Sequence, residues 1–251
     1  MRNIRLLIAY DGTGYCGWQR QKHDVTIQSE IEDRLIAMTG EQVVLHGAGR
    51  TDAGVHAEGM VANFHTGSRI PCPAFSSGLN SMLPAAIRIR AADEVDDSFH
   101  ARFSARGKHY LYRLCCDAVQ MPQQRLYSLH HPAAIDIPAV RACLCILKGT
   151  HDFASFENTG SRDKTIPTGR GSVRTLFTAE LDVKSQHDYE FIFIGDGFLR
   201  QMVRNIMGTL LEVGRRKRSV EGFRQTLLSR ERTAAGPAAP ARGLTLKEVL
   251  Y

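Results

Sequence analysis

Along this chain the spacing of apolar residues switches repeatedly between the twofold alternation of a strand and the 3.6-residue repeat of a helix, and that switching restricts the fold to a mixed α+β class. Residues 3–10 (NIRLLIAY) read as a first strand, and three glycines then fall within seven positions of DGTGYCG, which excludes regular structure there. Ile27, Ile31, Leu35 and Met38 follow at helical spacing, with Thr26 as N-cap and Gly40 as the stop. Residues 42–45 and 60–65 are expected as short strands around the loop HGAGRTDAGVHAEG, 75–82 as a helix, and 86–93 as extended. In 108–115, Tyr110, Tyr112 and Leu114 alternate with His109, Leu111 and Arg113, so both tyrosines share one face of a strand. Residues 137–147 read as a helix ending near Gly149, 173–183 and 189–194 as paired strands, and 220–228 as a further helix. The apolar stripe Leu199, Met202, Val203, Ile206, Met207, Leu210 and Leu211 predicts another helix. Residues 158–170 read as a mobile surface loop, AAGPAAPARG as a linker, and TLKEVLY closes the chain. No period of 20 to 50 residues is present, which sets repeat arrays aside.

Composition narrows the function classes. Thirty-two Lys and Arg against 26 Asp and Glu give a net charge of +6 over 251 residues. Between Leu199 and Arg232 nine basic residues face only Glu212, Glu221 and Glu231, so this one segment carries 9 − 3 = +6, as much as the whole chain. Such a run fits either a solvated helical face or a polyanionic partner. The six cysteines lack zinc-site spacing and are expected as free thiols in a reducing cytoplasm. The apolar stretch from Ile4 to Tyr10 is broken by Arg5 and stopped by Asp11, too short for a signal peptide, and no run reaches the roughly 18 apolar residues of a membrane span. The expectation is a soluble, cytoplasmic protein with no membrane association.

The chemistry concentrates in GAGRTDAGVHA, where Arg50, Asp52 and His56 stand in a glycine-punctuated turn. Glycines admit close approach of a ligand to backbone, Arg50 suits a phosphate, and Asp52 suits a nucleophile or base. The same residues also make an ordinary turn held by Asp and Thr side chains. The loop DGTGYCGW invites a phosphate-cradle reading, but the GxxxxGK[ST] spacing is absent and no GxGxxG follows the first strand.

The string GRTDAGVHA resembles the central motif of the tRNA pseudouridine synthase A family. Four further strings in the family's order extend the likeness over nearly the whole chain: YDGTGYCGWQRQ, FHARFSARGKHYLYRL, GTHDFASF and GFLRQMVRNIMGTLLEVG. The resemblance implies two similar α/β halves, 1–105 with the GRTDAG loop and 106–251 with the stacking tyrosine and the MVRN helix. They would share an extended, mainly antiparallel sheet with helices packed on it and a basic cleft between them. It further implies an isomerase acting on uridines 38, 39 and 40 in the anticodon stem-loop of tRNA, without cofactor or metal, as a homodimer. Asp52 is similar to the family's catalytic aspartate, Tyr110 to the tyrosine that stacks on the flipped base, and Arg204 to the arginine that pairs with the aspartate. Arg200 and Gln201 depart from the family, where histidines are often found, and leave MVRN intact.

Physical chemistry is consistent with these roles. Pseudouridine formation breaks an N-glycosidic bond and rejoins the uracil through C5, with no redox change. Asp52 must stay ionised to attack C6 or C1′, or to support loss of the C2′ proton, and an arginine within about 4–6 Å keeps it so. Everting the base costs a few kcal/mol, of which an aromatic platform returns about 1–3. Arg50, Lys108, the run from Arg215 to Arg218, and Arg162, Lys164 and Arg170 are the candidate phosphate contacts. A chain that keeps this scaffold only to bind or refold RNA would retain the basic segment without needing an ionised Asp52.

Overall fold

The computed structural model describes residues 1–158 and 171–251, which form two compact units, residues 1–106 with 245–251 and residues 107–244. The sequence expectation of a mobile loop at 158–170, with Arg162, Lys164 and Arg170, falls almost wholly on residues outside those described. Both units pair helices with a largely antiparallel sheet, so the fold class is α+β.

In the first unit, β1 (Arg2–Tyr10) lies antiparallel between β3 (His56–Thr66) and β4 (Ile87–Val95). β10 (Leu244–Leu250) runs parallel to β3, with Thr245 opposite His56, and β2 (His46–Gly47) pairs with β3 from residue 46. Alternation along β1 sends Ile4, Leu6 and Ile8 into a fully buried layer with Phe64 and Phe75, whose rings meet edge-on at 5.5 Å. The helices α1 (Ile27–Thr39) and α2 (Cys72–Met82) supply Ile27, Ile31, Leu35, Phe75 and Leu79 to that core. Thr26 caps α1 as the sequence indicates: its hydroxyl accepts from the Ser29 amide at 3.2 Å while Ser29 Oγ takes the Thr26 amide. Gly40 ends the helix at φ 71°, a left-handed conformation that suits glycine.

The second unit has the strand order β5 (Gly107–Cys115), β9 (Asp188–Gly195), β8 (Val173–Val183), β7 (Gly149–Asp152), with β6 (Leu129–His130) parallel to β5. Tyr110 stands opposite Phe193 and Tyr112 opposite Phe191, on the one face that alternation assigns them. A register shift between Leu176 and Thr178 re-phases β8, so its buried residues run Leu176, Ala179, Leu181. Three helices, α3 (Ile137–Leu147), α4 (Met202–Gly214) and α5 (Val220–Ser229), pack on one another, and α3 covers β8.

Three local expectations are corrected. Residues 42–45 are not a strand, because the Leu45 amide donates to Glu32 Oε1 (2.9 Å) and its carbonyl accepts from Gln28 Nε2 (3.0 Å). Side chains of α1 thus take the groups a ladder would need. Helix α4 begins at Met202 rather than Leu199, since Gln201 adopts φ 60° and a left-handed residue cannot continue a helix. The stretch AAGPAAPARG is no linker but a strap docked on α4: Gly236 N donates to Thr209 Oγ1 (2.9 Å) and Ala239 N to the Arg204 carbonyl (2.9 Å).

Among the described residues no helix is long and apolar enough to cross a membrane, and no group of three or more His, Cys, Asp or Glu is placed to hold a metal ion. All six cysteines are free, and burial pushes the Cys143 thiol up to about 11.

Candidate active site

Asp52 occupies the first position of a tight turn closed by the Val55 amide donating to its carbonyl at 3.1 Å. Gly54 takes the positive φ, 76°, that the third position of a type II turn demands. The carboxylate-bearing residue is half-buried, and the turn is tied down at Thr51 and at Val55. Thr51 is buried, with its hydroxyl 2.8 Å from Tyr10 Oη at the end of β1 and its carbonyl accepting from the Trp18 amide at 3.1 Å. On the other side Val55 is buried and His56 opens β3.

The glycine-rich loop 11–18 is the mould for this turn. Tyr15 O accepts from Gly54 N at 3.3 Å, so the two loops are joined at both ends of the Asp52 segment. A Cβ on Gly12 would stand 2.1 Å from Val55 O, one on Gly17 2.5 Å from Thr51 O, and one on Gly47 2.5 Å from the Trp18 indole nitrogen. Only glycine admits that approach. The Gly12 amide also donates to His56 Nδ1 at 3.1 Å, which places the proton of a neutral imidazole on Nε2. Asp11 Oδ1 is likewise 3.1 Å from Nδ1.

Arg50 is exposed, and its Nε donates to Gln19 Oε1 at 3.2 Å. Gln19 in turn donates to Gln28 Oε1 (2.8 Å), and Gln28 to Glu32 Oε1 (2.9 Å). Glu32 is almost wholly buried; its carboxylate also accepts from the Leu45 amide (2.9 Å) and from Arg20 Nε (2.6 Å), so the buried charge is paired and hydrogen-bonded. A line of polar contacts therefore runs from α1 to the Arg50 guanidinium and holds it beside the Asp52 turn.

In the second unit the two tyrosines of YLY separate by environment. Tyr112 is 0 % exposed and its hydroxyl donates to the Pro240 carbonyl at 2.9 Å; burial raises its pKa, so it stays a donor. Tyr110 is 8 % exposed and its ring meets Phe198 edge-on at 4.9 Å. Arg204 is half-buried on the first turn of α4, with Nε donating to the Ala239 carbonyl at 2.8 Å. Because the Ala239 amide returns a bond to the Arg204 carbonyl, one strap residue grips both the backbone and the side chain of Arg204. Gly208 makes the grip possible, since a Cβ there would lie 1.6 Å from Pro237 O. Arg200 lies before the helix and is exposed, so the two arginines that a helical wheel treats alike are structurally distinct.

Sequence reasoning missed the strap, Tyr112 as its anchor, and the chain from Glu32 to Gln19. The legible signal for the last was the polar triplet Gln19, Arg20, Gln21 following a tryptophan; nothing in AAGPAAPARG marks it as fixed.

A turn that displays one carboxylate is moulded by a glycine-rich loop within an α+β protein. The sequence profile of the family described as tRNA pseudouridine synthase matches residues 6–104 and 145–251. Relatives similar over their full lengths include tRNA pseudouridine synthase A 1 of Desulfotalea psychrophila, 58 % identical over 251 residues and covering 100 % of both chains. The tRNA pseudouridine synthase A of Acetivibrio thermocellus is 45 % identical over 251 residues, again covering 100 % of each, and that of Geobacter sp. strain M21 is 43 % identical over 252, covering 100 % of this chain and 99 % of its own. The chain belongs to the tRNA pseudouridine synthase family, and it is an enzyme of the isomerase class.

Proposed function

We propose that this enzyme isomerises uridine to pseudouridine at positions 38, 39 and 40 in the anticodon stem-loop of tRNA, as a cytoplasmic homodimer that needs no cofactor. The observation that carries the reading is the presentation of Asp52 at the head of a turn whose flanking residues, Thr51 and Val55, are both buried and bonded. The reading assigns Asp52 and Arg50 to an N-terminal half, 1–105, and Tyr110 and Arg204 to a C-terminal half, 106–251.

In this reading Asp52 is the catalytic carboxylate. It initiates cleavage of the N1–C1′ bond; the uracil rotates, a C1′–C5 bond forms, and the C5 proton leaves as N1 gains one, so atoms balance without a co-reactant. Tyr110 stacks on the everted base, a role supported by the engagement of the Tyr112 hydroxyl with Pro240. Arg204 takes the role of the family's arginine partner to the aspartate, and Ala239 holds its Nε. Arg50 contacts a substrate phosphate. The test is Asp52→Ala assayed with tRNA tritiated at uridine C5: the variant should bind tRNA as the wild type does and release no tritium. Release at the wild-type rate would remove Asp52 from the chemistry.

A further inference from the structure

Outside the Asp52 turn, the first unit carries an aromatic column that the catalytic reading does not use. The rings of His46 and His100 lie 5.2 Å apart, those of His100 and Phe103 4.4 Å apart, and Phe103 ends the column 76 % exposed. The Arg102 guanidinium stands 5.7 Å from the centre of the Phe103 ring. Single exposed apolar residues are ordinary on protein surfaces. This one differs because its ring packs, tilted by 39°, against His100 and because the segment that bears it is held from beneath.

Asn3 and Asn63, 2 % and 0 % exposed, make that anchor. Asn3 Nδ2 donates to the carbonyls of Asp96 (2.9 Å) and Phe99 (2.8 Å), and Asn63 Oδ1 accepts from the Ala101 amide (2.8 Å). Tyr251 Oη donates to the Ala101 carbonyl at 2.7 Å, and the Ser104 amide closes the bend onto the His100 carbonyl at 2.9 Å. The Arg102 amide donates to His100 Nδ1 at 3.1 Å, which sets that ring's tautomer and orientation. Burial, His46, Arg102 and His65 lower the His100 pKa, so the middle ring is neutral near pH 7.

An exposed ring on an anchored segment, with a guanidinium over it, is an arrangement that accepts a nucleobase: stacking works for any base, and the cation answers the base's face or the adjacent phosphate. The geometry points to Phe103 as a stacking platform for an unpaired base of the RNA substrate. The inference rests on the reading that tRNA is the substrate.

Its test compares Phe103→Ala, Phe103→Leu and Phe103→Trp with the wild type by tRNA filter binding across a salt series, beside thermal melting and sedimentation. Loss of one stacked base lowers affinity roughly 5- to 150-fold. The Ala variant is expected to show that loss, the Leu variant most of it because it keeps apolar area without a π face, and the Trp variant none. The slope of log affinity against log salt should be unchanged, since no phosphate contact is removed, and melting should be unaffected at so exposed a position. Wild-type affinity in both the Ala and Leu variants would overturn the platform while leaving the tRNA reading intact. A shift in oligomeric state on Phe103→Ala would assign the ring to contact with a second copy and overturn it as well. Failure of the wild type itself to bind tRNA would overturn both readings.

Discussion

At the residue scale the site depends on positions where no side chain fits. Gly17 combines φ 86° with a Cβ position 2.5 Å from Thr51 O, so Gly17→Ala should destabilise the protein by about 1–3 kcal/mol and lower turnover further by shifting the Asp52 turn. Melting and single-turnover tritium release measure the two effects separately. Tyr112→Phe removes one buried hydrogen bond, leaves the Pro240 carbonyl unpaired, and should cost about 1 kcal/mol in a urea titration. The sequence displayed Asp52, Arg50, Tyr110 and Arg204 through motif strings, but not what holds them. Alternation alone treats Tyr110 and Tyr112 as equals; the difference between them arises from a carbonyl 128 residues away in the chain.

At the element scale, helices with local caps were readable and elements defined by distant partners were not. The bounds of α1 follow from Thr26 and Gly40, which act within one turn of the helix. The start of α4 depends on Gln201 at φ 60°, a conformation nothing in LRQMVRN announces. For 42–45, apolar content suggested a strand, yet the backbone of Leu45 is claimed by Glu32 and Gln28 across the unit. The strap against α4 yields the sharpest test at this scale. Gly208→Ala puts a methyl where Pro237 O lies and must lift the strap from Arg204. If Arg204 assists Asp52, a displacement of about 1 Å should lower kcat about 100-fold with tRNA affinity little changed. An unaltered kcat, with melting showing the strap displaced, would separate Arg204 from the reaction.

At the scale of the whole molecule the positive charge is not all available to RNA. Arg218 pairs with Glu212 at 2.9 Å and also donates to Thr226, and Arg216 lies 3.1 Å from Asp136, whereas Arg215 and Lys217 are exposed with no ion pair among the described residues. Composition counts these four alike; the fold divides them. Arg215→Ala with Lys217→Ala should therefore lower the slope of log affinity against log salt by about 1 to 2, while Arg218→Ala should chiefly lower the melting temperature. The last strand was equally hidden, since TLKEVLY lacks twofold alternation and carries no sign that it lies beside β3.

The central claim, that Asp52 makes this chain a tRNA pseudouridine synthase, is tested most directly by mapping pseudouridine in tRNA from a strain lacking the gene and from that strain carrying either the wild-type gene or Asp52→Asn. Pseudouridine at positions 38, 39 and 40 should vanish in the deletion, return with the wild type, and stay absent with the variant. Restoration by Asp52→Asn, or a deletion that leaves those three positions modified, would contradict it.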